Sequence, residues 1–446
     1  MEFGRHISKG IWGLADKTLP VVYGIGFVWL VIRVLPEEEF GNFILTQEIF
    51  LIISGLATAF ALQPLLKFCS EENPSLAGTV SAALILNFGF IVFASFVVLA
   101  CSAPAGQLLH SQALTTLMML VPAMLGASFF RTFALTLLQA RFLVAQVFWT
   151  DAVHFLGAPA LIWAASHAHI FSSAMDLVII NLISLTASSL AGLWFARQML
   201  RVRIHPSRGD LVRVWDYGKY SLGGVVSSLF ATKADSFILS AFTGPGQVGV
   251  YNSAKVFVRI FEMASQVVQM FILPAASKLS SLGEDASLKA VTEKAILFLT
   301  LGLVPVSILL LAFPELLVDI LYGGRYQDAV PILRWFSLLT LAVPLAAVGS
   351  NVLMGLGYAR LSFILGLQIL AVSIAAFLVC IPPWGALGAG IGYVVGGFIT
   401  ALLTARLVDR YIPLRFSAIL RRTRDVDTFL RKHLRQTFND LRAPKS

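Results

Sequence analysis

Long stretches without a charge constrain this chain more than any motif does. Between charged or Pro/Gly-rich breaks its 446 residues read as twelve apolar blocks, near residues 13–35, 40–66, 77–101, 112–138, 142–166, 171–196, 218–242, 247–274, 292–313, 329–355, 360–381 and 385–408. A helix of about 20 mostly apolar residues crosses the hydrocarbon core of a bilayer, and a helix satisfies its own backbone there. Only 13% of residues are charged, about half the share of an ordinary soluble domain. The blocks predict an all-α integral membrane protein and exclude a water-soluble fold. The first block runs too long for a cleaved leader and ends in no small-residue site, so it reads as a retained span.

Positive charge sets the expected orientation. With twelve spans both termini share a side, and 26 of the 33 Lys and Arg fall on it, against Arg33 and Arg325 on the other. Both termini are therefore expected in the cytoplasm. The tail contributes much of the charge, and within it Leu430, Leu434, Phe438 and Leu441 recur at helical spacing. An amphipathic helix on an anionic inner leaflet explains both features, without any nucleic acid; a polysaccharide synthesis protein could also dock there. Cys69, Cys101 and Cys380 stand far apart with no His or second Cys at ligand spacing. No metal, cofactor or disulfide is expected, and the thiols read as buried and structural.

The chain also repeats itself. Phe40-Gly41-Asn42-Phe43 opens the second block and Val248-Gly249-Val250-Tyr251 the eighth, 208 residues later, each after a proline turn at Pro36 or Pro245. The fourth and tenth blocks both end in Ala-Arg, at Ala140-Arg141 and Ala359-Arg360. The expected architecture is a six-helix lobe over 1–196, a basic cytoplasmic linker over 197–217, a second six-helix lobe over 218–409 and a basic tail over 410–446. Parallel repeats of this kind place a substrate site between pseudo-symmetric halves.

Four segments resemble a known family. They are Leu35-Pro36-Glu37-Glu38-Glu39-Phe40-Gly41-Asn42-Phe43, its counterpart from Gly244-Pro245 to Tyr251, the segment Leu321-Tyr322-Gly323-Gly324-Arg325-Tyr326, and Ile381-Pro382-Pro383-Trp384-Gly385-Ala386-Leu387-Gly388-Ala389. Together they are similar to the polysaccharide transporter (Wzx-type) family of lipid-linked oligosaccharide flippases, in the superfamily that also holds MATE exporters and the lipid II flippase. Pro36 stands where the family's first Gly is usual. The resemblance implies a MATE-like fold of two pseudo-symmetric halves, and a cargo whose phosphates sit in a cationic cavity. It carries over no individual cavity residue.

Those residues must come from the charges inside the blocks, since an ionisable group at mid-bilayer costs about 2.5–3.5 kcal/mol on insertion scales. Arg259, Lys255, Lys233, Arg131 and Lys17 are the candidate cations for an anionic pyrophosphate; Glu262, Asp235, Asp151, His154 and Glu48 are candidates for gating or ion coupling. Offsets of four and three put Lys255, Arg259 and Glu262 on one helix face, and Asp151 and His154 share another. Blocks seven and eight hold three bases and two acids, a surplus of one positive charge. Asp16, Lys17, Asp176 and Arg334 lie near block ends, where interfacial anchoring accounts for them.

The expected function is a flippase that moves a polyprenyl-pyrophosphate-linked oligosaccharide from the inner to the outer leaflet of a bacterial inner membrane, for surface polysaccharide assembly. The alternative is a MATE-like small-cation antiporter, which calls for an acidic cavity where blocks seven and eight lean basic. An enzyme is not expected: the outer connections are short, and no Ser/His/Asp set or Gly-rich phosphate loop lies in an aqueous segment.

Overall fold

The computed structural model of the chain describes residues 2–70, 76–199 and 206–413, and these are helices and short turns throughout. The expected tail helix and the middle of the 197–217 linker lie outside the described residues, as does the Lys17 side chain. The helices are α1 (Glu2–Ile32), α2 (Glu37–Ala57), α3 (Gln63–Ser70), α4 (Leu76–Leu108), α5 (Gln112–Met118), α6 (Val121–Ala140), α7 (Val144–His167), α8 (Ala174–Ala196), α9 (Arg208–Thr243), α10 (Pro245–Lys255), α11 (Val258–Ser281), α12 (Asp285–Ala312), α13 (Pro314–Tyr322), α14 (Ala329–Ser337), α15 (Leu339–Gly355) and α16 (Ala359–Asp409).

Eight helical stretches among the described residues are long and apolar enough to cross a membrane, nine when the bent pair α14–α15 counts as one. Two of the four missing spans are accounted for by the α14–α15 bend and by the merging of two helices in α16. One π-turn, Thr58–Leu62, joins α2 to α3, and α16 is two helices merged across a kink at Gly385, whose φ is +54°. Taken as segments, the helices follow the order of the twelve apolar blocks, and the protein is multi-pass.

Two compact units emerge. The first runs to Val256 and includes Val318–Ala329 and Cys380–Ala389; the second holds Phe257–Leu317, Val330–Val379 and the chain from Gly390 onward. Within the first unit the two copies of the repeated motif pack on each other. A methyl group at Gly41 would overlap the carbonyl oxygen of Pro245, and one at Gly249 would overlap that of Glu37. Each glycine thus faces the residue four positions before the other, the reciprocity of a local two-fold relation. Small residues permit such backbone approach where lipid supplies no hydrophobic drive between helices.

The two bases on the far side of the charge split are also in this unit, and they form a backbone clasp. Arg33 donates from Nε to the Leu321 carbonyl at 3.1 Å and from Nη2 to that of Ile320 at 2.7 Å. These are last-turn carbonyls of α13, where a cation is favoured. Arg325 donates to the Arg33 carbonyl at 3.1 Å, Tyr326 to that of Leu35 at 3.3 Å, and Tyr322 to that of Ser253 at 2.8 Å. Burial raises both phenols well above the ordinary tyrosine range, so they stay protonated donors at any physiological pH.

Local contacts add to two sequence readings. Asp176 is the acid of a capping box: Ser173 accepts from its backbone N–H, and its carboxylate accepts from the Ser172 and Ser173 N–H groups at 3.0 and 2.9 Å. Arg334 forms an ion pair with Glu315 in the second unit. Of the three cysteines, Cys69 and Cys380 are buried but Cys101 is exposed on α4, so it does not serve the core.

Candidate functional site

Charged side chains drawn from the apolar blocks meet in two groups within the first unit. On α6, α7 and α8, Arg131 forms an ion pair with Asp151, both mostly buried. Its Nε donates to Ser188 Oγ at 2.9 Å, and Ser188 in turn donates to the Thr150 carbonyl at 2.6 Å. The guanidinium carbon stands 5.7 Å from the centre of the Phe155 ring. One turn along α7, His154 is buried; Ser184 Oγ donates to its carbonyl at 3.1 Å and lies 2.8 Å from Nδ1.

The second group joins α2, α9 and α10. Lys255 pairs with Asp235, whose carboxylate also accepts from the Tyr251 hydroxyl at 2.7 Å and the Ser236 N–H at 2.9 Å. Lys233 reaches Glu48 at 3.4 Å. Glu48 is 4% exposed, and its Oε2 has no hydrogen-bond partner among the described residues. Asp235 is thus held by three kinds of donor at close range, whereas Glu48 meets Lys233 at 3.4 Å, with Lys255 and the Ser236 hydroxyl also acting on it. Its Oε2 is the least well satisfied carboxylate oxygen of this set, which is costly in low dielectric.

Two sequence expectations are modified. Lys255, Arg259 and Glu262 do not belong to one helix: α10 ends at Lys255 and α11 begins at Val258, with Val256 and Phe257 between them in helical dihedral angles. Lys255 turns to Asp235 in the first unit, while Arg259 and Glu262 are exposed on α11 in the second and make no ion pair with a described residue. The surplus positive charge also disappears once Glu48 from α2 joins Lys233. Adjacent blocks alone could not reveal a counter-charge 185 residues away.

Other partners escaped the sequence reading altogether. Ser184 and Ser188 lie one turn apart on α8 and face α7. Their spacing on an apolar helix was the available signal, since small hydroxyls at i and i+4 often mark a contact between membrane helices. Tyr251 belongs to the repeated motif, yet nothing in the motif points its hydroxyl at Asp235. Glu293 is buried on α12, and nothing in the sequence pattern singles it out. No group of His, Cys, Asp and Glu suited to a metal occurs among the described residues.

Comparison with known proteins bears on what this arrangement serves. The profile of a family described as "Polysaccharide biosynthesis protein" matches residues 30–331. The "Probable low-salt glycan biosynthesis flippase Agl15" of Haloferax volcanii is 21% identical over 211 residues, 47% of this chain and 45% of that one. The "Putative O-antigen transporter" of Shigella flexneri is 22% identical over 262 residues, 57% of this chain and 59% of that one. The chain thus spans about half the length of these relatives. An inward-facing MATE multidrug transporter superposes with a TM-score of 0.71 at 16% identity, over 92% of this chain and 99% of the other. The lipid II flippase MurJ, in an inward closed conformation, superposes with 0.70 at 13% identity, over 90% and 87%. At such identities the likeness is one of fold.

Proposed function

Because the chain belongs to the polysaccharide biosynthesis protein family, we propose that it is a flippase for a lipid-linked glycan, carrying a polyprenyl-pyrophosphate-linked oligosaccharide to the outer leaflet of a bacterial inner membrane by alternating access. The two six-helix lobes, 1–196 and 218–409, are the rocking bodies of this reading, with both termini cytoplasmic. The observation that carries it is the set of cations held at membrane depth on carboxylates: Arg131 on Asp151, Lys233 on Glu48 and Lys255 on Asp235. A base parked on an acid is already desolvated and oriented, and an incoming pyrophosphate can replace the acid as its partner. Lys17 and Arg259 complete the proposed cargo set; Asp151, His154, Asp235, Glu48 and Glu262 are the gating groups that take the bases back when cargo leaves.

Arg259 provides the test. It is exposed on α11 without an ion pair to a described residue, so a purely structural role has no partner to explain it. Arg259→Ala should abolish glycan export in a strain lacking the gene while leaving expression and insertion intact. Arg259→Lys should restore little, because an ammonium cannot reproduce a guanidinium's two-pronged contact with phosphate. Export restored by the double change Arg259→Leu with Glu262→Leu would end the cargo-binding role.

A MATE-like cation antiporter is the second reading, and the bare Oε2 of Glu48 favours it. Glu48→Gln distinguishes the two. It would abolish drug-cation efflux in an antiporter, whereas in a flippase it releases Lys233 and leaves cargo binding in place.

A further inference from the structure

The second unit carries a groove that the transport reading does not use. It lies between the two arms of α16, has a volume of about 390 Å³, and is walled by Leu361 and Leu365 from one arm and Leu403 and Leu407 from the other. Arg406 and Arg410 line it as well, and their spacing puts them on one helix face, about 6 Å apart along the axis. No acid lines the groove, and neither arginine makes an ion pair with a described residue. The rings of Tyr358 and Tyr411, one at the start of the first arm and one past the end of the second, stack at 4.3 Å. Tyrosines gather at the headgroup level of a bilayer. Arg410 adjoins Tyr411 and Arg406 lies one turn before it, so in a bilayer aligned on those rings Arg406 is the deeper of the two, where a guanidinium needs an anion.

We propose that this groove binds an anionic phospholipid of the cytoplasmic leaflet, its phosphate bridging Arg406 and Arg410 and one acyl chain lying between the leucines. The leaflet rests on the orientation proposed above; the binding does not depend on flippase activity. Basic pockets between helices on the cytoplasmic side suit anionic headgroups, and the planar guanidinium suits phosphate oxygens. Charge also decides against this chain's own tail as occupant. Residues 411–446 hold nine Lys and Arg against three Asp, so the tail would bring like charge to the two arginines. A zwitterionic lipid brings no net anion to either.

The test takes the full-length protein in neutral detergent, stripped of lipid, with dioleoyl-phosphatidylglycerol as probe and dioleoyl-phosphatidylcholine as control. Native mass spectrometry and thermal unfolding read the result. Phosphatidylglycerol should be retained at least about tenfold more tightly than phosphatidylcholine and raise Tm, tenfold being the loss expected from one charge-assisted contact. Arg406→Gln with Arg410→Gln should bring its retention down to the control level without lowering the lipid-free Tm. Leu403→Trp, which fills the groove and keeps both charges, should do the same. Equal retention of the two lipids, or retention of phosphatidylglycerol unchanged in both variants, would overturn the proposal. Competition by glycerol 3-phosphate would indicate a phosphate site rather than a lipid site and overturn it too. So would high-yield cross-linking of Leu403→Cys to Leu430→Cys, which would put the tail in the groove.

Discussion

At the scale of single residues, Arg131 and Asp151 show how a charge survives inside a membrane protein. Each is a liability alone; together, with Ser188 taking the guanidinium's Nε–H, most of the polar atoms have partners. Removing one partner of a buried pair costs about 3–5 kcal/mol, whereas replacing both by apolar groups of similar volume is often neutral. Asp151→Asn should therefore lower thermal stability sharply, and Arg131→Leu with Asp151→Leu should recover most of it. Parental stability in Asp151→Asn would mean that Arg131 finds its counter-charge elsewhere. The same double variant should stay inactive in export if Arg131 also meets cargo, which separates the structural role from the functional one. The candidates themselves were legible as charges in apolar blocks. Their partners were not, because Ser188 and Glu48 belong to other helices and no spacing along the chain links them to Arg131 or Lys233.

At the scale of elements, the crossing of α2 and α10 is where the repeat becomes physical. Gly244, at φ +83°, ends α9 and starts α10 at once, and Pro36 is the extended cap that starts α2, so the two motif helices begin side by side. The glycines then allow contact with backbone carbonyls that cannot move aside. Gly41→Ala should cost about 1–3 kcal/mol or more, the usual penalty of overpacking, and Gly249→Ala a similar amount. Because each methyl would strain the same crossing, the double change should cost less than the sum of the singles. Gly89→Ala on α4, where an added methyl meets nothing within 4 Å, is the control and should be neutral or slightly stabilising. Thermal unfolding in detergent measures all four; a Gly41→Ala protein as stable as the Gly89 control would refute the tight crossing. The motif was readable in the sequence as a repeat, but not as a contact between its two copies. The interruption at Val256–Phe257 was unreadable, since neither residue is a proline or glycine and both keep helical dihedral angles.

At the scale of the whole molecule, the charge split makes a topological forecast. Reporter fusions after residue 210 and after residue 446 should both report cytoplasm, and a periplasmic result for either would overturn the twelve-span orientation. Only Arg33 and Arg325 oppose the bias, and the structure gives both a local task in the clasp around the end of α13. What the sequence alone determined is the class of molecule and the order of its helices: a chain with this few charges, spaced this way, has no other means of satisfying its backbone in lipid. What the tertiary structure decided is which polar groups meet, as Glu48 meets Lys233 and Asp235 meets Lys255 and Tyr251. In water an amphipathic stripe tells which face of a helix turns inward. In a bilayer the surroundings are as apolar as the protein interior, so the stripe fades, and the rotation of each helix is settled by packing alone.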